Sequence, residues 1–590
     1  MMMRSVKCFR GLKFCYRRLR VASIAELAYR LRQVLLVLWF RYFRNSKGST
    51  SSIPDLLPSD IHTLRLPSLH FETNRVDPEH IFQVRESSYA DSDIRSLWEP
   101  ARLQNATILF ALASNREGPE AEGLITRGLE AVREWIDDNP FPSGLHYISA
   151  MECGLRIPIF TACLKYSCRR NPVLSKQIFS AIYLHAWWVS RRLSLYSSRG
   201  NHTICEAVGL VFAGWVFVST LEGREWFEEG VNLLYREAQQ QILEDGGPAE
   251  QSFSYHRFVL DLYWLMLNFL ESNGFSRSTT LRESLTRAEE FMAAFQDEKG
   301  NMPTIGDSDD GCAVAPGMMP QRERATTAAG AVRVFRESGY TVIRTSNGAV
   351  LTFDHGPLGM PPFYNHGHAD ALSITLSKQG EAILVDPGTY RYNGEPSYRR
   401  YFKSTRAHNT VTVDGFDQAE QVTGFIWSRP FHCELIGAYA KGEDYVVDAS
   451  HDGYSRLAGG SVYHTRKLLF FDSRHFLCRD SFTGSGTHEF ELNFHIHPDA
   501  EVRREGRWRV VEKGAARVFL MLRDGDDFTM ICGCEEPPFG WFSPSYGKKK
   551  KSAVLCARKR GRPDEIVFTT IICTADAING KHIEEVARRI

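Results

Sequence analysis

Between Phe363 and Asp414 the chain concentrates imidazoles and carboxylates at short intervals: His366, His368 and Asp370 in one run, Asp386 before Pro387-Gly388, and His408 before Asn409-Thr410. Two imidazoles and one carboxylate are three of the four ligands that tetrahedral Zn²⁺ takes, leaving one position for water or substrate. His368, Asp386 and His408 are therefore a candidate metal set. A plainer reading stays open, in which each histidine hydrogen-bonds at the edge of a sheet.

The residues around this cluster explain why it should converge. Residues 371–376 alternate apolar and polar side chains, Gln379-Gly380 reads as a turn, residues 382–385 form a second apolar strand and residues 411–413 a third, closed by Asp414-Gly415. That pattern places the three candidate ligands at the ends of adjacent strands. A second set of reactive types lies upstream. His202 and Glu206 are four apart and share a helical face, so the carboxylate can orient the imidazole, and Asn201 follows Gly200 near a helix start. Tyr255 comes one or two helical turns after the break at Asp245-Gly246-Gly247-Pro248. Each also has a structural reading: a capping asparagine, a buried histidine bonded to a glutamate, a tyrosine in a helix core.

From residue 90 to about 300, apolar residues recur at three and four spacing, predicting helices over 120–137, 157–169, 175–195, 203–220, 224–243 and 248–272. Beyond Gly339 the pattern switches to short alternating strands, with Asn347-Gly348 and Asp472-Ser473-Arg474 as hairpin turns. Helices first and strands afterwards imply separate domains in an α+β multidomain chain, rather than alternating α/β units. The acidic loop 301–312, with Asp307, Asp309 and Asp310, lies at the changeover and lacks the later glutamate of an EF-hand, so it reads as structural.

Three runs in fixed order carry a resemblance: Asn365-His366-Gly367-His368-Ala369-Asp370; Leu384-Val385-Asp386-Pro387-Gly388-Thr389-Tyr390; and residues 407–415, Ala-His-Asn-Thr-Val-Thr-Val-Asp-Gly. With Asn201-His202 and Glu206, Asp245-Gly246-Gly247 with Glu250, Tyr255-His256 and residues 305–311 upstream, the chain from about 90 to 575 resembles the heparinase II/III-like polysaccharide lyases. The resemblance implies an incomplete (α/α) toroid over 90–325 and an antiparallel β-sandwich over 326–590, with the substrate cleft between them. It implies β-elimination on a uronic-acid polysaccharide: removal of the C5 proton, departure of the C4 oxygen and an unsaturated product. Asn201, assisted by His202 and with Glu206 in support, would stabilise the developing enolate-like charge. Tyr255 and His366 would share acid and base duties, either being the base according to the stereochemistry of the uronate. His368, Asp386 and His408 match zinc ligands of the family, and the ion is read as structural. Arg399 and Arg400, in the loop between two ligands with Tyr390, Tyr392, Tyr398 and Tyr401, are candidate forks for substrate carboxylates.

Composition narrows the alternatives. At 590 residues, 43% hydrophobic, the chain can bury the cores of two or three domains. Residues 1–47 hold twelve Lys and Arg against Glu26 alone, a local charge of +11, whereas the whole chain carries only +1. The remainder is thus acidic by about −10, which argues against nucleic acid as a partner of the main body. Thirteen scattered cysteines form neither a disulfide framework nor a zinc ribbon. The longest apolar run near the start, residues 34–40, is too short for a membrane span and lacks a cleavage site; periplasm, cell envelope and cytoplasm all stay open. Ser23 and Glu26 suggest a capping box ahead of Ile24, Leu27, Leu31, Leu35 and Leu38 at helical spacing. This basic amphipathic arm, 1–47, followed by an irregular linker over 48–89, either packs on the body or makes peripheral contact with an anionic membrane. A glycoside hydrolase and a non-catalytic glycan-binding or exopolysaccharide assembly factor are the competing classes; the first lacks a clear second carboxylate near Glu206 or Glu250.

Overall fold

The computed structural model describes residues 23–43, 61, 64–67, 69–71, 93–196, 198–275, 278–323, 325, 332–523 and 527–575. Two compact units interleave along the chain. One comprises 1–239, 258–281 and 312–322; the other comprises 240–257, 282–311 and 323–590. The expected boundary at 325/326 is thus crossed by two segments, 240–257 and 282–311, that join the strands.

Among the described residues the longer helices of this part of the chain are α1 (Ile24–Phe43), α2 (Gln104–Ser114), α3 (Gly118–Asp138), α4 (Ala150–Ser167), α5 (Pro172–Ser190), α6 (Asn201–Val216), α7 (Leu221–Gln241), α8 (Phe253–Ser272) and α9 (Thr279–Phe295). α4 and α6 approach so closely that a Cβ on Gly154 would lie 2.6 Å from the Cys205 carbonyl, and one on Gly209 2.8 Å from the Gly154 backbone. Small residues at both points let the two backbones meet. The expected spans are present with shifted ends: the helix expected from 157 begins at Ala150 and runs through Pro158, and the one expected from 248 begins at Phe253.

The strands of the second unit are antiparallel throughout. β1 (Val332–Phe335), β2 (Tyr340–Arg344), β3 (Ala349–Asp354), β4 (Ile374–Lys378) and β5 (Glu381–Leu384) form one sheet in sequence order. Next come β6 (Val411–Val413), β7 (Cys433–Lys441), β8 (Asp444–Tyr454), β9 (Val462–Phe471), β10 (His475–Gly484), β11 (His488–His495), β12 (Glu501–Glu505), β13 (Trp508–Lys513), β14 (Ala516–Leu522), β15 (Thr529–Cys532), β16 (Ala553–Gly561) and β17 (Val567–Cys573). An eight-stranded sheet runs β7-β8-β9-β10-β17-β14-β13-β12, and a four-stranded one β15-β16-β11-β6. One apolar core joins all three, with Leu351, Phe353 and Leu376 from the first, Phe476 and Leu468 from the second, and Phe490, Phe494 and Leu555 from the third, every one buried. The turn pairs expected from sequence close their hairpins with positive φ, Gln379 at 53° and Asp472 at 51° with Ser473 at 55°.

The sheets are clasped beside the candidate ligands. Asn409 is fully buried; its amide donates to the carbonyls of Ile374 at 2.7 Å and Val385 at 3.1 Å, and its oxygen accepts from the His495 N–H at 2.6 Å. One side chain thereby stitches the first sheet to the third. Arg466 of β9 reaches the Asn409 and Leu372 carbonyls, each at 2.6 Å, while its guanidinium pairs with Asp480 of β10 at 2.7 and 3.1 Å. All of this lies out of water, where a lone partner is costly.

Asn409→Ala leaves two buried carbonyls and one N–H without partners. The variant should lose about 3 kcal/mol or more of unfolding free energy, read by chemical denaturation. An unchanged denaturation midpoint would show that the sheets do not depend on this side chain.

Candidate functional site

In the second unit, the acidic loop 302–311 is the hub. The Asp307 N–H donates to the His366 carbonyl at 2.9 Å, the Phe253 N–H to the Ile305 carbonyl at 3.1 Å, and the Ser308 N–H to Thr389 Oγ1 at 2.6 Å. Ser252 caps α8 by accepting from the Tyr255 N–H at 3.2 Å and donates its hydroxyl to the Asp307 carbonyl. Gly306 has φ +67°, and a Cβ there would stand 2.2 Å from the Gln251 carbonyl, so only glycine lets the loop lie this close.

Asp307 is fully buried. Its oxygens accept a bidentate pair from Arg399 at 2.6 and 2.8 Å, with Oδ2 3.1 Å from His366 Nδ1 and Oδ1 3.1 Å from His368 Nε2. Burial alone would raise its pKa; the charges of Arg399 and Lys403 and the two imidazole bonds outweigh this and hold it well below the carboxylate range. An ionised carboxylate only accepts, so Nδ1 of His366 and Nε2 of His368 carry the protons. The lone pairs then belong to His366 Nε2 and His368 Nδ1.

Asp309, two residues on, makes a different arrangement. Its Oδ2 accepts from the Tyr255 hydroxyl at 2.9 Å and the Tyr392 hydroxyl at 3.0 Å, and the two hydroxyls are 2.9 Å apart. The Tyr255 ring stacks on His366 with centroids 3.9 Å apart and planes at 28°. Arg399 sits 4.9 Å from the Tyr392 ring centroid. Tyr255 and His366, matched from sequence, thus meet face to face. Asp307 and Asp309, read there as structural, orient both.

The candidate metal set also comes together. His368, Asp386 and His408 are all buried, and one ligand atom from each lies within 4.8 Å of the others. His408 Nδ1 is 2.9 Å from Asp386 Oδ2, while His368 Nδ1 and His408 Nε2 are buried without a hydrogen-bond partner. Two orphaned nitrogens beside a carboxylate fit a metal ion, and the group can hold one. Burial holds the pKa of His368 down to about 4, against the pull of Asp307, which keeps the ring neutral as a ligand must be. Burial also opposes a charge on His408, but Asp386 outweighs it and raises its pKa; a cation would take the place of that proton. The ligands do not come from adjacent strands of one sheet: His368 lies in the loop before β4, Asp386 follows β5, and His408 precedes β6 of a different sheet. Gly367, between the two histidines, has no room for a side chain, since a Cβ would stand 1.6 Å from the Leu358 carbonyl.

Arg399 departs from expectation. It lies not in a loop but on a helix, α10 (Pro396–Lys403), and is buried with its fork spent on Asp307 and its Nε on the Gly424 carbonyl at 2.9 Å. Its carboxylate is internal. Tyr390 and Tyr401 are buried in a small apolar core with Phe402 and Trp541, whereas Arg400 is exposed on the same helix.

In the helical unit, Asn201 is the first residue of α6, buried, and set by Gly200 at φ +128°. His202 is half-buried, and its field acts on Glu152, whose carboxylate pairs with Arg102 at 2.7 Å. Glu206, expected to orient His202, instead gives both oxygens to Ser194, accepting from its N–H at 2.6 Å and its hydroxyl at 2.7 Å. A backbone donor twelve residues back outcompetes the imidazole one turn away. Burial pushes the Glu206 carboxyl up to about 8, against the Ser194 bonds.

With the folded pKa above the usual value of 4.5, the neutral acid is the native form. Its contribution is complete below pH 4.5 and is lost as pH rises towards 8. Glu206→Gln keeps the group neutral and able to bond Ser194. The variant should match the parent in Tm near pH 5 and exceed it near pH 8; parallel Tm curves across that range would rule out a buried neutral glutamic acid.

Residues 129–316 match the sequence model of the heparinase II/III N-terminus, and residues 327–574 that of the heparinase II/III-like C-terminal region. A heparin-sulfate lyase of Bacteroides stercoris is 26% identical over 411 residues, covering 65% of this chain and 58% of that protein. Another, from Pedobacter heparinus, is 23% identical over 363 residues, 56% of this chain and 50% of that one. The chain spans about half the length of the curated relatives it matches. Among solved structures, heparinase III aligns with a TM-score of 0.64 at 16% identity over 93% of this chain and 89% of its own, and a heparan sulfate lyase of Pedobacter heparinus with 0.60 at 15% over 88% and 87%. At such identities the structural likeness is one of fold, helices first and antiparallel sheets after. With both sequence models matched in order along one chain, the protein belongs to the heparinase II/III-like family.

Proposed function

We propose that the protein is a polysaccharide lyase that cleaves an acidic, uronic-acid-containing polysaccharide of glycosaminoglycan type by β-elimination. The observation that carries this reading is the Tyr255–His366 pair, two groups able to exchange protons, stacked at 3.9 Å and each backed by an aspartate. Relatives that are heparin-sulfate lyases support the substrate class.

The reaction must remove a weakly acidic C5 proton and protonate the departing C4 oxygen. Asn201, with His202, takes the role of donor to the substrate carboxylate as charge spreads onto it. Of Tyr255 and His366, one removes the proton and the other assists the leaving oxygen, according to the configuration at C5. His366 has its lone pair on Nε2 and can act as base directly. Tyr255 acts as acid with the proton it holds; as base it first passes that proton to Asp309, 2.9 Å away. Arg400 remains the candidate fork for a further substrate carboxylate. Hydrolysis by paired acids finds less support, since Asp307 is sealed among Arg399, His366 and His368 and cannot flank a glycosidic bond.

The metal proposed for His368, Asp386 and His408 is zinc, by its preference for two imidazoles and a carboxylate. Its role would be to fix three segments distant in sequence, since the elimination calls for no activated water.

Tyr255→Phe and Asn201→Ala should each lower turnover on the order of 10²-fold or more, followed by the ultraviolet absorbance of the unsaturated product on a panel of uronate polymers, with far-ultraviolet circular dichroism unchanged. Near-parental rates in both variants would sink the assignment. No absorbing product from any polymer, despite binding, would favour the glycan-binding reading.

Unchelated protein should contain about one zinc per chain, and His408→Ala should lose both the ion and thermal stability. Protein free of metal that melts as the chelated form does would remove the ion from the account.

A further inference from the structure

We infer that helix α1 is a docking surface for an anionic lipid membrane, a property separate from the catalytic reading above. The helix is tied to its unit through Tyr29, while Glu26 closes contacts within the helix's own first turns. Glu26 is buried and paired with Arg30 at 2.6 Å, the Glu26 N–H donates to the Ser23 hydroxyl at 3.1 Å, and the Tyr29 hydroxyl donates to the Leu193 carbonyl at 2.8 Å, with its ring 5.6 Å from that of Tyr196. Burial pushes the Tyr29 hydroxyl up to about 12, so this bond persists at any ordinary pH.

Held that way, the helix turns its apolar stripe outward. Ile24, Leu27, Leu31 and Leu35 are 87, 40, 60 and 56% exposed, and Val34 beside them is 54% exposed. An amphipathic helix packed for stability would present the opposite face to solvent. A continuous row of exposed leucines on a folded helix calls for an apolar partner.

Charge selects which partner. Residues 1–47 carry +11, with Arg17, Arg18 and Arg20 directly before the helix and Arg41, Arg44 and Lys47 at or beyond its end, while the rest of the chain carries about −10. A second copy would bring like charge against like across a paired arm. An anionic bilayer offers hydrocarbon to the stripe and headgroup charge to the arginines, and it repels the acidic remainder, confining contact to the arm. Among the described residues no helix is long and apolar enough to cross a membrane, so the mode is lying on the surface.

The test is co-sedimentation of the full chain with vesicles of phosphatidylcholine alone and with added phosphatidylglycerol, at low and high salt. The parent should bind the phosphatidylglycerol vesicles and weaken in high salt. Leu27→Ser/Leu31→Ser/Leu35→Ser should lose at least about tenfold in partitioning without a change in melting, because those side chains are already in water. Indifference of the parent to phosphatidylglycerol vesicles, or equal partitioning of parent and triple variant, would overturn the inference. So would a parent dimer that the triple variant converts to monomer without any vesicle binding, since the stripe would then be a contact between copies.

Discussion

The second unit is organised around one carboxylate. Asp307 is removed from water, where an ion of its size loses several kcal/mol of hydration, and survives as an anion because four donors converge on two oxygens. Those donors are not interchangeable. Arg399 supplies charge and a planar fork, and the two histidines supply N–H groups whose position fixes their tautomers. Through Oδ2 the aspartate sets the ring expected to move protons, and through Oδ1 it sets a ring that can bind metal. One group therefore links a histidine of the candidate metal set to the candidate base.

Asp309 does the opposite with similar means. It collects two phenols on a single oxygen, and three oxygens within 3.0 Å share only two protons. Whichever phenol gives up its proton, the carboxylate and the other hydroxyl are already within hydrogen-bond reach, so little solvent reorganisation accompanies the transfer. The two aspartates sit on one loop, two residues apart, and one meets the imidazoles while the other meets the phenols.

Local patterns were legible in the sequence and long-range competition was not. Turn pairs such as Gln379-Gly380 and Asp472-Ser473 announce themselves because positive φ restricts residue type. His368, Asp386 and His408 stand out because ligand chemistry needs few residue types, although they do not come from adjacent strands as their spacing suggests: β6 lies in a different sheet from β4 and β5. Asp307 and Asp309 read in sequence only as part of a structural loop because their partners are 54 to 92 positions away. The sequence marks Arg399 as a candidate carboxylate fork; which carboxylate it holds is a matter of tertiary placement. Helical spacing put Glu206 beside His202, but spacing says nothing of the Ser194 N–H that claims it.

The arm shows the same limit in reverse. Its apolar spacing is as regular as that of a core helix, and periodicity cannot tell a stripe that faces a core from one that faces away from it. What decides the matter is the minority face. Glu26 pairs with Arg30 within the helix, whereas Tyr29 bonds the Leu193 carbonyl and lies against the Tyr196 ring, which sets the tyrosine side against the unit. Leu193 adjoins Ser194, which holds Glu206 on the helix that begins with Asn201. The contact that turns the leucines outward is thus built on the same short segment that secures the Asn201 helix.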